Sequence, residues 1–101
     1  MFYDQRLEQG QAISMIFHSP QTSDFVGVRP TRDGHRQVVC EVDNERRVLL
    51  NIVDASVPDT SIAEALIEGV AARNLMAGVF SALRARKIDF EFPSDARTEG
   101  R

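Results

Sequence analysis

Between Phe25 and Val53 the chain runs FVGVRPTRDGHRQVVCEVDNERRVLLNIV, three β-branched, apolar stretches joined by two short polar turns. No other feature limits the fold as tightly, because strand side chains point to alternate faces and a one-residue slip moves a whole set from core to solvent. With a three-residue turn at Arg32, Asp33 and Gly34, the glycine taking the left-handed position such loops need, Val28 faces Val38, Val26 faces Cys40 and Arg29 faces Gln37. A second three-residue turn at Asp43, Asn44 and Glu45 sets Cys40 against Val48, Val38 against Leu50, Glu41 against Arg47 and Gln37 against Asn51. Together the turns collect Val26, Val28, Val38, Cys40, Val48, Leu50 and Ile52 on one face.

The flanking segments extend this meander into a domain. AISMIF, before it, places Ile13, Met15 and Phe17 on one side of an earlier strand, and HSPQTS then breaks the pattern. After Pro58, Ser61 and Glu64 match a capping box that opens a helix. Ile62, Leu66 and Val70 then recur at helical spacing, as do Leu75, Val79 and Leu83 with Met76 and Phe80. On one ideal helix the two apolar stripes diverge by roughly 110° at 100° per residue. Two helices, about 61 to 72 and 75 to 87, with a left-handed break near Arg73 and Asn74, resolve the conflict. Gly69 and Gly78 fit close packing of that pair. IDFEFP alternates Ile88, Phe90 and Phe92 with Asp89 and Glu91 as a final half-buried strand. The expected fold is α+β: a mainly antiparallel sheet, a β-meander, with two helices packed on one face and a C-terminal strand.

At 101 residues the chain suits one core, taken as 12–93, with an N-terminal segment at 1–11 that offers cover for the sheet and a flexible tail at 94–101. A net charge of −3 argues against a surface dominated by nucleic-acid attraction, although 11 of 12 basic residues are Arg, the side chain suited to bidentate anion contacts. One cysteine makes no internal disulfide, the N-terminal stretch lacks a secretory pattern, and no apolar run reaches membrane-span length. The expected location is the cytoplasm, with no membrane association.

Candidate chemistry is sparse. Arg29, Arg32, His35 and Arg36 surround the first hairpin tip as a candidate anion-binding group, against the plainer reading of a solvated turn. The tip lacks aromatic residues for base stacking. His18, His35 and Cys40 match no standard zinc spacing, so neither metal nor cofactor is expected. Cys40 falls on the core face as a small apolar residue, and a paper triad of Ser19, His18 and Asp54 has no geometric warrant. The reverse face carries Phe25, Val39, Leu49 and Val53 beside Arg29, Gln37, Glu41, Arg47 and Asn51, an apolar centre in a polar ring. Either a second subunit or the N-terminal segment, through Phe2, Tyr3 and Leu7, covers it.

These features point to a small non-enzymatic interaction or regulatory module of bacterial type, acting as a homodimer or with a protein partner through Phe25, Val39, Leu49, Val53, Arg47 and Glu41. One alternative is nucleic-acid or phosphate-ligand binding through the Arg-rich hairpin. Another is a small enzyme or ligand-binding domain with a cleft at His18 and His35.

Overall fold

The structure, a computed structural model, describes residues 13–93. The expected N-terminal cover and the tail at 94–101 lie outside the described residues. Strands β1 (Met15–His18), β2 (Phe25–Pro30), β3 (Arg36–Val42) and β4 (Glu45–Ile52) precede helices α1 (Asp59–Val70) and α2 (Leu75–Ala85). The strands form one antiparallel sheet in the order β1-β2-β3-β4, so the fold is an α+β meander with two helices.

The first hairpin follows the side-chain sorting. Thr31 and His35 close it through Thr31 N–H to the His35 carbonyl at 2.9 Å, leaving Arg32, Asp33 and Gly34 in the loop with Gly34 at φ 86°. Val28↔Val38, Val26↔Cys40 and Arg29↔Gln37 are all register partners.

The second hairpin differs by one residue. Asp43 and Asn44 sit at φ 56° and 66°, the doubly left-handed geometry of a two-residue turn, and Val42 pairs with Glu45. Cys40 therefore faces Arg47 and Glu41 faces Arg46, in place of Val48 and Arg47. The expected pairs Gln37↔Asn51 and Val38↔Leu50 are recovered because the register shifts between Val38 and Val39, leaving Leu49 as an extra residue on β4. A bulge of this kind puts neighbouring side chains on one face, and Leu49 joins Leu50 in the core cluster while Val48 pairs with Val39 on the reverse face.

The core lies between the sheet and both helices. Val26, Val28, Val38, Cys40, Leu50 and Ile52 meet Ile62 and Leu66 of α1 and Val79 and Leu83 of α2, with Met15 and Phe17 packed against them. Each such large side chain contributes about 1.5–3 kcal/mol on full burial. Ile13 departs from expectation: its methyl lies 3.0 Å from where a Cβ on Gly27 would stand, near Ile16, and outside the core cluster.

The helix boundaries also correct the sequence reading. Pro58 is the N-cap of α1 and Asp59 already occupies the first turn, so Ser61 and Glu64 fall inside the helix and no side chain caps its start. Asn74 does not end α1. It is the N-cap of α2, at φ −110°, and its Oδ1 accepts the Ala77 N–H at 3.0 Å. The helices meet closely, since a Cβ on Gly69 would stand 2.6 Å from the Val79 Cα and one on Gly78 would stand 2.6 Å from the Gly69 carbonyl oxygen.

At the end of α2, Lys87 takes φ 59°, and Lys87 and Ile88 donate to the Arg84 and Leu83 carbonyls, each at 2.9 Å. These two bonds stop the helix and turn Ile88 into the core. The following segment forms one bridge rather than a strand of its own, with reciprocal 2.8 Å bonds between Asn51 and Glu91. Phe90 packs against the core, whereas Phe92 is exposed. No helix among the described residues is long and apolar enough to cross a membrane.

Candidate functional site

Because register partners share a face, the side of the sheet away from the helices resolves into three rows. The central row is Ile16, Gly27, Val39 and Val48, one residue from each strand. Toward the second hairpin lies His18, Phe25, Glu41 and Arg46. Toward the first lies Arg29, Gln37 and Asn51.

The two outer rows are internally bonded. Arg29 grips Gln37 Oε1 with two N–H groups, one at 2.9 Å, and Gln37 Nε2 donates to Asn51 Oδ1 at 3.2 Å. At the other row, Arg46 donates to Glu41 Oε1 at 3.2 Å and stands 5.2 Å from the centre of the Phe25 ring. His18, from the neighbouring strand β1, meets that ring edge to face, centroids 5.7 Å apart. Phe25 thus lies between a guanidinium and an imidazole, and its exposure is 9%.

Val39 is 0% exposed and Ile16 is 46% exposed, so the accessible apolar surface of the central row is concentrated at the edge strand β1. Of the six residues expected at an interface, Phe25, Val39 and Glu41 lie on this face, and half-buried Val53 follows β4. Leu49 and Arg47 do not, because the two-residue turn and the bulge shift them to the helix side. Arg47 instead pairs with Glu45 at 2.9 Å, and Arg46 takes the position read for it. The signal available in the sequence was Asp43-Asn44, two residue types that tolerate the left-handed region.

The arginines of the first hairpin do not converge. Arg29 lies in the polar row of the reverse face, while Arg36 is the register partner of Ile52 on the helix side. The Arg36 guanidinium bonds the Asp59 carboxylate, the Val57 carbonyl at 2.6 Å and the Asp54 carbonyl at 3.3 Å. It fastens the β4–α1 connection. His35 Nδ1 stands 3.6 Å from Asp33, whose carboxyl is held below its usual value chiefly by a hydrogen bond from the Thr31 hydroxyl. Of the three hairpin arginines, Arg32 is the one that is exposed.

The histidines are also apart. His18 lies at the Phe25 end of β2 and His35 beyond its Pro30 end, about 17 Å along an extended strand. Ser19 Oγ accepts the Gln21 and Thr22 N–H groups at 3.1 and 3.3 Å. Asp54, at the far end of the sheet, accepts from Ser56. Ser19, His18 and Asp54 therefore do not meet. Cys40 is fully buried, and desolvation pushes its thiol up to about 11, which suppresses the nucleophilic thiolate. Among the described residues no three His, Cys, Asp or Glu side chains are grouped to hold a metal ion.

Two clefts lie on the surface of the described residues. One of about 410 Å³ lies between the β1–β2 loop, the second hairpin and the helix corner, with Ser19, Asp24, Asp43 and Arg73 in its lining. The other, about 390 Å³, lies between the end of α2 and residues 88–92. No protein-family model, no curated protein and no solved structure matches the chain.

Proposed function

We propose that the protein is a small non-catalytic interaction module of bacterial type that works in the cytoplasm as a homodimer, joined through the sheet face turned away from its helices. The observation that carries this reading is the exposure of Ile16, 46%, at the β1 end of an apolar row that runs between one row of amide and guanidinium groups and another of ion-paired and aromatic groups. An apolar centre within a polar frame is the anatomy of a protein interface. Ile13 and Ile16 both close over Gly27, within 3.0 and 3.3 Å of where its Cβ would stand, so the apolar surface at β1 is continuous, which suits an isologous contact between the same patch on two copies.

The commitment of Arg29 and Arg36 to partners within the chain favours this reading over phosphate or nucleic-acid binding at the hairpin. The separation of His18 from His35 favours it over a histidine-containing cleft. Sedimentation of Ile16→Glu beside Ile67→Glu tests the proposal, because Ile67 is equally exposed, at 51%, but sits on α1. The Ile16 change should abolish the dimer and the Ile67 change should leave it. Equal behaviour of the two variants would contradict the proposal.

A further inference from the structure

The cleft at the end of α2 differs chemically from the rest of the surface. Phe80, Phe90 and Phe92 form a triangle with ring centres 5.5, 5.6 and 5.8 Å apart. Phe92 is 61% exposed, the highest value for any large apolar residue described. Arg84 lies 5.5 Å from the Phe90 centre and 6.0 Å from that of Phe80, so its guanidinium is spread over the aromatic floor. Among the described residues neither Arg84 nor Lys87 has a carboxylate partner, whereas Arg86 nearby is paired with Glu68 at 2.9 Å. Lys87 has little backbone freedom because the helix-ending bonds fix it, and the carbonyls of Leu83 and Arg84 are already satisfied by Ile88 and Lys87.

An exposed aromatic ring flanked by two cations that have no carboxylate partner among the described residues selects a ligand both apolar and acidic. We propose that this cleft docks an acidic peptide segment of a partner protein, with one apolar side chain on Phe92 and neighbouring carboxylates on Arg84 and Lys87. Single-stranded nucleic acid fits it less well. Asp89 lines the same cleft, and two cations on an acidic chain offer little of the counterion release that drives polyanion binding. The site lies on the helix side of the sheet and does not depend on Ile16, so it stands or falls separately from the dimer.

The test is fluorescence anisotropy of the full chain with a labelled Glu-Glu-Leu-Phe-Glu-Glu peptide, its Lys-Lys-Leu-Phe-Lys-Lys counterpart, and an oligothymidylate of about 12 nucleotides. The acidic peptide should bind, and raising salt from about 50 mM to about 500 mM should weaken it severalfold. Phe92→Ser should weaken it about tenfold, as loss of an aromatic anchor does. Lys87→Glu should weaken it as well, and melting temperatures near that of the unmodified protein would show that both variants fold. No binding of the acidic peptide at about 1 mM, the weakest affinity such an anchor allows, would overturn the proposal. Equal binding of the lysine peptide, tighter binding of the oligonucleotide, or indifference to Phe92→Ser would do the same.

Discussion

Arg36 and Asp59, 23 residues apart in the chain, form an ion pair that joins the start of β3 to the first turn of α1. The two partners contribute unequally. The Arg36 side chain is 15% exposed and also holds two backbone carbonyls, whereas Asp59 is 69% exposed. Arg36→Met should therefore cost about 1.5–3 kcal/mol, the range for hydrogen bonds to a charged group. Asp59→Ala should cost under about 1 kcal/mol, because a solvated partner is screened. Urea unfolding of both variants checks this, and a larger loss from Asp59→Ala would contradict it.

The second hairpin yields a prediction that depends on its register. Asn44 is held at φ 66°, so Asn44→Val should destabilise by about 1–2 kcal/mol, the cost of a β-branched residue in the left-handed region. Glu45 lies in β4, where Glu45→Val should be nearly neutral. Thermal melts of the pair separate the two-residue turn from a three-residue one, in which Glu45 would also be a loop residue.

The meander was readable because apolar alternation is a property of side chains alone, and the first hairpin was readable to the residue because Gly34 marks its left-handed position. The second was displaced because Asp43-Asn44-Glu45 carries no glycine to mark which residues are left-handed. The bulge at Leu49 then absorbed the extra residue, so Val38↔Leu50 was right although Cys40↔Val48 was not. That single displacement moved Leu49 and Arg47 off the reverse face and brought Arg46 to Phe25. Asn74 marks the break as the N-cap of α2 and not as the end of α1, a distinction its residue type does not make, since asparagine suits both a left-handed helix end and an N-cap. The Phe80, Phe90 and Phe92 cluster is not legible in the sequence, because the turn at Lys87 and the long-range bridge at Asn51 together fix where the last segment runs.

Lys87 is a lysine where a glycine is favoured. Its φ of 59° should make Lys87→Gly stabilising by about 1 kcal/mol, a strain relief that outweighs the added freedom of the unfolded chain. Denaturant midpoints check the sign, and a loss would mean that the side chain, not the backbone, is the stabilising element.

Burial of Cys40 couples stability to alkaline pH. Its folded thiol ionises near 11, above the ordinary value of 9.0, so between these the unfolded chain loses a proton that the folded chain retains. The stabilisation is complete below 9.0 and is lost as pH rises toward 11. Melting temperature should fall over that window, and Cys40→Ala should flatten the fall; an identical slope in both proteins would rule out the thiol as its source.

Light scattering of the unmodified protein from micromolar to millimolar concentration measures self-association most directly. The mass should rise with concentration to twice the 11.3 kDa of one chain and stop there, as a closed twofold contact requires. A mass that stays at 11.3 kDa throughout, or one that climbs without limit, would contradict a dimer built on Ile16.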